Sequence, residues 1–167
     1  MKPDLFWIPG PWRGNLAVVS RPRGGDWLED EVRAWQQARI GVIVSLLETD
    51  EAAELDLAKE PEVAKSNNIR FISFPIPDRD VPTSQKNALS FLAAIASILD
   101  EGQNVAIHCR QGVGRSGLIA ASLLVRSGMD ADKAVAAVST ARGVEIPETD
   151  RQLQWIKHLL SENLVPA

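Results

Sequence analysis

A chain of 167 residues, 45% hydrophobic and 24% charged, has the composition of an ordinary globular domain with room for a substantial core. Its formal net charge of −4 excludes a whole-surface attraction to nucleic acid or anionic membrane, so an anionic ligand must be met by a local positive site. No apolar run approaches the roughly 20 residues that span a bilayer, so no stable membrane insertion is expected. Pro3, Pro9 and Pro11 interrupt the N-terminal stretch, which argues against a secretory signal. The single cysteine, Cys109, cannot form an intrachain disulfide and suits a reducing, cytoplasmic setting.

In chain order, residues 15–20 (NLAVVS) read as a short strand. Residues 26–39 read as a helix, with Asp26 as cap, Glu29 three residues on, and Leu28, Val32, Trp35 and Ala38 forming a helical stripe. Residues 42–47 are a nearly unbroken apolar run, the mark of a strand buried on both faces. The polar stretch 48–68 predicts short surface helices broken near Pro61. Residues 69–76 form the next strand, closed by Pro75 and Pro77. Thr83 is the expected N-cap of a helix running to Asp100 and ended by Gly102. Residues 104–108 (NVAIH) are another buried strand, followed by a glycine-rich turn. Residues 116–126 then form a helix that is apolar almost all round and hence central. Amphipathic helices over 130–142 and 148–162 complete the chain. Strands alternating with helices, with no linker or repeat, predict one α/β domain over 1–167 with a central, mostly parallel sheet flanked by helices.

The informative segment is His108-Cys109-Arg110-Gln111-Gly112-Val113-Gly114-Arg115-Ser116-Gly117, set between a buried strand and a buried helix. Three glycines in this short stretch permit backbone conformations that other residues resist. Such a turn can aim successive N–H groups inward, and the following helix adds its positive end. The product is an anion cradle sized for one phosphate. Arg115 can close the ring with its planar fork. The same positive field favours a thiolate nucleophile at Cys109, with Ser116 as a further hydrogen-bond donor. Gln111, Gly112, Val113 and Gly114 form the body of the cradle, with Arg110 as an extra cation at its edge.

His-Cys, five residues, Arg and then Ser resembles the signature loop of the protein tyrosine phosphatase superfamily, and the glycines and short chain resemble its dual-specificity branch. The resemblance implies that Cys109 forms a phosphocysteine, Arg115 binds phosphate and Ser116 helps the thiolate leave. It makes His108 a buried support for the loop. It also requires an aspartate on a separate upstream loop to protonate the leaving oxygen. Phe74-Pro75-Ile76-Pro77-Asp78-Arg79-Asp80-Val81-Pro82 occupies that place, with Asp78 as the expected acid and Asp80 in reserve. The stretch from Arg142-Gly143 through Ile146-Pro147-Glu148-Thr149 to Gln152 resembles the region where relatives place a glutamine beside the hydrolytic water, which points to Gln152.

The expected partner is a phosphorylated protein or other phosphomonoester, the expected state a monomer, and no metal or other cofactor is called for. Arg110 and Arg79 suggest a cationic rim, which would also suit a phosphoinositide, although a solvated arginine is the default reading of each. A non-catalytic module that holds phosphorylated ligands is the rival from another class. A sulfur carrier or arsenate reductase also uses a cysteine in an anion loop, but neither calls for the upstream Asp78 loop, and a thiol relay needs a second cysteine. The chain has no tyrosine, and nothing in it resembles a tyrosine-recognition loop, so a shallow pocket of broad specificity is expected. The five tryptophans read as packing residues and His158 as an exposed helix residue.

Overall fold

The computed structural model describes residues 3–159. A five-stranded sheet is built from β1 (Phe6–Ile8), β2 (Leu16–Val19), β3 (Val42–Ser45), β4 (Arg70–Ser73) and β5 (Val105–His108). The spatial order is β1-β2-β5-β3-β4, parallel throughout except for β1, which runs antiparallel along β2. The helices are α1 (Leu28–Gln37), α2 (Thr49–Glu54), α3 (Glu60–Ser66), α4 (Gln85–Asp100), α5 (Gly114–Arg126), α6 (Ala131–Arg142) and α7 (Asp150–Lys157). This is the α/β, mostly parallel arrangement that the sequence predicts.

The three central strands are buried at every position, as their unbroken apolar runs require. Their two-residue alternation divides the interior. Ala17, Val19, Ile43 and Ala106 face α1 and α3, whereas Leu16, Val18, Val44 and Ile107 belong to the core shared with α4, α5, α6 and α7. α5 is buried from Gly114 through Val125. Its Leu118, Ile119, Leu123 and Leu124 are each worth about 1.5–3 kcal/mol of burial. That anchoring fixes the direction of the first turn, where Arg115 and Ser116 sit.

Several boundaries differ from expectation for local reasons. β1 is an unforeseen edge strand, too short between Pro3 and Pro9 to show a period. A 3-10 turn at Gly25–Trp27 precedes α1, so Asp26 does not cap it. Pro61 does not break a helix but sits in the first turn of α3, where its missing N–H costs nothing. Ser84, not Thr83, caps α4 by accepting the N–H of Asn87 at 3.1 Å. α5 opens at Gly114, two residues before the predicted start. α7 begins after a capping box of Thr149 and Gln152, and residues 160–162 of the predicted helix lie outside the described residues.

Candidate active site

Parallel pairing brings the carboxyl ends of β2, β5 and β3 level, with Val19, His108 and Ser45 in register. Sites in open α/β sheets form at such an edge. Here the chain leaves β5 at His108, turns through residues 109–113 and enters α5. The three glycines have separate tasks. Gly112 alone adopts a left-handed φ of 73°, and a Cβ there would lie 2.7 Å from the Val19 carbonyl oxygen. Gly117 admits Ile146, whose Cβ would lie 2.9 Å from an added Cβ, and Gly114, the first residue of α5, admits the Glu148 carboxylate, whose Oε1 would lie 2.7 Å from one.

Among the described residues, the backbone N–H groups of Arg110, Gln111, Gly112 and Val113 make no hydrogen bond. The first N–H groups of α5 are unpaired by the geometry of a helix start. The outward carbonyls, in contrast, are held. Arg142 donates from Nε to the Gly112 oxygen (2.9 Å) and from Nη2 to the Gln111 oxygen (3.1 Å). Its guanidinium lies 4.2 Å from the Phe6 ring centroid, so β1 and the end of α6 together fix the loop from behind.

Arg115 is 2% exposed. Its Nη1 and Nη2 bind the two Glu51 carboxylate oxygens at 2.6 and 3.0 Å, a bidentate pair, and Nη1 also donates to the Ile76 oxygen at 2.9 Å. Nη2 additionally lies 3.1 Å from Asp78 Oδ1. Burial alone would lower the Arg115 pKa, but the Glu51 hydrogen bonds and the charges of Cys109, Glu51 and Asp78 raise it overall. Burial pushes the Glu51 carboxyl up. The Arg115 hydrogen bond, the Glu48 N–H and the charges of Arg115 and Arg110 outweigh it and hold Glu51 below the usual carboxylate range. Ser116 is wholly buried and its Oγ has no hydrogen-bond partner, so its hydroxyl remains available.

Cys109, 3% exposed, lines a cavity of about 220 Å³ together with Asp78, Arg79, Arg110, Gln111, Arg115 and Glu148. Gly112, Val113 and Gly114 complete the loop without lining this cavity. Of the two acid candidates, Asp78 lines it and Asp80 does not. Asp80 instead accepts the Val81 N–H at 2.8 Å and pairs with Arg151 at 3.0 Å, as a turn residue does. A larger cavity of about 610 Å³ between α6 and the start of α7 shares Glu148 with the Cys109 cavity but is not lined by Cys109, Arg115 or Asp78, so size alone does not mark the site.

His108 lies beneath the loop, fully buried. Its Nε2 is 2.7 Å from Glu60 Oε2, its Nδ1 is 3.1 Å from the Cys109 oxygen, and Trp35 packs near its ring. Gln152 is also fully buried. Its Oε1 accepts the N–H groups of Glu148 and Thr149 (3.1 and 3.2 Å), and its Nε2 donates to the Asp80 oxygen at 3.0 Å. It therefore braces α7 against the acid loop. Arg110 lies between Glu51 and Glu54, 3.7 Å from each, and Arg79 pairs with Glu148 at 2.9 Å. The rim cations foreseen in the sequence are thus matched by carboxylates.

Three site residues were not foreseen. Glu51 and Glu60 look like solvated acids in a polar stretch, and their partners stand 64 and 48 positions away. Arg142 opens the stretch whose resemblance points to Gln152, but its hold on the loop carbonyls is not foreseen. For Glu51 the signal is chemical need: an obligate buried arginine requires a carboxylate.

Strand order, signature loop and acid loop together belong to the protein tyrosine phosphatase superfamily in its dual-specificity form. More narrowly, residues 17–129 match the model of the family described as "Polymorphic toxin system, DSP-PTPase phosphatase", and the chain belongs to that family. The protein named "Putative tyrosine phosphatase 197R" of Invertebrate iridescent virus 6 is 27% identical over 164 residues, or 95% of this chain and 58% of the viral one. The protein of Arabidopsis thaliana named "Phosphatidylinositol 3,4,5-trisphosphate 3-phosphatase and protein-tyrosine-phosphatase PTEN1" is 36% identical over 95 residues, or 53% of this chain and 23% of that protein. The chain therefore spans little more than half of the first relative and under a quarter of the second. Among solved structures, Tk-PTP in its active form superposes with a TM-score of 0.79 at 27% identity, covering 96% of this chain and 99% of that one. Kinase associated phosphatase superposes with a TM-score of 0.91 at 16% identity over 100% of this chain and 99% of its own, a likeness of fold.

Proposed function

We propose that the chain hydrolyses phosphomonoesters, above all phosphotyrosine and other phosphorylated protein side chains, through a phosphocysteine intermediate. The observation that carries this reading is the meeting of Cys109, Arg115 and Asp78 around one small cavity beside unpaired backbone N–H groups. The incoming phosphate takes over Arg115 Nη2 from Asp78 and occupies the loop N–H groups. The Cys109 thiolate then attacks phosphorus. An S–P bond forms as the P–O bond to the leaving group breaks, and protonated Asp78 gives its proton to the departing oxygen. Arg115 and the loop hold the equatorial oxygens through the transition state. Water next attacks the phosphocysteine, Asp78 takes the water proton, and Ser116 donates to the thiolate as the S–P bond breaks. Gln152 contributes by holding the acid loop through the Asp80 carbonyl. The chain's own groups supply the positive charge, so the reaction needs no cofactor.

The pairing of Arg110 with Glu51 and Glu54, and of Arg79 with Glu148, leaves little free positive charge at the rim. That favours a single monoester on a protein over a multiply phosphorylated inositol head group. The lone thiol fits a reducing cytoplasm, and the reading takes the chain as a monomer.

The test is hydrolysis of para-nitrophenyl phosphate in the presence of EDTA. Cys109→Ser is expected to abolish turnover and Asp78→Ala to lower kcat by about 10²–10⁴. A loss with Asp80→Ala in place of Asp78→Ala would move the acid by two residues. An inactive wild type that binds vanadate or phosphate would make the protein a binding module.

A further inference from the structure

The loop that joins α6 to α7 stands between two cavities. Glu148 lines the Cys109 cavity on one side and the cavity of about 610 Å³ on the other. Its carboxylate holds Arg79 at 2.9 Å, so the acid loop and the larger cavity meet at one side chain. A peptide whose phosphate lies against Cys109 has the larger cavity as its direct neighbour.

The two cavities differ in charge. Arg79, Arg110 and Arg115 line the catalytic one, whereas the larger one is lined by no Lys, Arg or His and by four carboxylates. Glu148 is taken by Arg79, and Asp132 lies 3.8 Å from Lys157. Glu145 and Asp150 are exposed and make no ion pair among the described residues. The first turn of α7 is a favourable place for Asp150, but nothing on the chain answers Glu145. Below these acids the walls are apolar, built by Val135, Ile146 and Leu153. Among the described residues no group of three His, Cys, Asp or Glu could hold a metal ion, so the cation that fits is organic. A long basic side chain matches both features, its methylene stem lying on apolar surface and its charged head at the rim. The planar fork of arginine can meet two carboxylates at once.

We propose that this cavity is a cation subsite, and that its ligand is an arginine side chain of the phosphopeptide whose phosphate enters the Cys109 cavity. The inference rests on the phosphoprotein reading above but not on turnover. It assigns specificity to the loop between α6 and α7: Glu145 and Asp150 select substrates with a basic residue a few places from the phosphorylated one.

Equilibrium binding to the full chain carrying Cys109→Ser tests it. The probes are phosphotyrosine peptides of otherwise neutral residues, with one arginine placed one to four residues away on either side, and glutamine at the same place as control. At one spacing the arginine peptide is expected to bind about tenfold tighter than its control, the effect of one charge-assisted hydrogen bond. Glu145→Gln combined with Asp150→Asn in the same background should bring the two within about twofold of each other. Glu145→Lys should reverse the order at that spacing when glutamate replaces arginine in the peptide. Equal affinity of arginine and glutamine peptides at every spacing overturns the proposal, as does a preference that survives the double substitution. A gain that is the same at every spacing also overturns it, because the net charge of −4 would then be attracting the cation without a site. Hydrolysis of para-nitrophenyl phosphate by the wild type separates the two readings. A spacing-dependent arginine preference without hydrolysis sinks the enzyme and keeps the subsite, and the reverse result does the opposite.

Discussion

Cys109 and Arg115 are 3% and 2% exposed, whereas half of the Asp78 side chain, 51%, faces solvent across the same small cavity. The phosphate loop is held on every side, by Arg142 on its carbonyls, by the Val19 carbonyl against Gly112 and by the His108–Glu60 pair beneath. The acid loop is tied by Arg115 at the Ile76 carbonyl and Asp78, by Gln152 at the Asp80 carbonyl, and beyond these by the exposed pairs Arg79–Glu148 and Asp80–Arg151. It also carries Arg79 at φ 61°, a left-handed conformation that costs a side-chain-bearing residue about 1–2 kcal/mol. If the proposed roles hold, the contrast teaches that the groups assigned to the phosphate are set within packed structure, while the group assigned to the proton stands half in solvent. Preorganised donors are worth most when they need no rearrangement in the transition state.

Glu51→Gln should break the contrast most deeply, because it loosens the rigid side. Replacing a charged partner of Arg115 costs about 1.5–3 kcal/mol, or roughly ten- to a hundredfold in kcat/KM for para-nitrophenyl phosphate. The variant also has a pH signature. The Glu51 carboxyl is held lower in the folded protein than in the unfolded chain. Its stabilising contribution is therefore complete above the ordinary glutamate pKa of about 4.3 and fades as pH falls through and below that value. Denaturation midpoints measured down the acid limb should fall less steeply for Glu51→Gln than for wild type.

Gln152→Ala strikes a buried tie of the acid loop, at the Asp80 carbonyl. It leaves the Asp80 carbonyl and the Glu148 and Thr149 N–H groups unpaired, at a cost of about 1–3 kcal/mol visible as a lower urea midpoint with the slope unchanged. A fall in kcat at full stability would instead assign Gln152 to the hydrolytic water. Arg79→Ala removes a pair open to solvent and should change stability by less than about 1 kcal/mol, a melting shift of ~2–4 °C at most. A larger shift would show that the acid loop is tied down more firmly than its exposure indicates.

The division between the two loops also marks what could be read from the chain. β2, β3 and β5 were legible because strands buried on both faces must be continuously apolar, and the signature loop because its chemistry tolerates few residue types. Asp78 could be preferred to Asp80 only by resemblance; in the fold it lies 3.1 Å from Arg115 and lines the Cys109 cavity, as Asp80 does not. The roles of Glu51, Glu60 and Arg142 were illegible since nothing local shows which distant group each will meet. Their burial arises from contacts with residues at least 30 positions away. β1 was hidden by its length, for three residues carry no period.

The solitary thiol at the floor of a 220 Å³ cavity has a practical corollary. Every thiol-directed reagent that modifies this chain reports on Cys109, the proposed nucleophile, and on nothing else, without mutagenesis to remove competing cysteines. Because Cys109 is 3% exposed and lines that cavity, the reagents should sort themselves by shape and charge. A compact anion such as iodoacetate has a guanidinium and unpaired amides to guide it, whereas a bulky neutral maleimide has neither the room nor the attraction. The ratio of the two labelling rates is a gauge of how open the cavity stands in solution.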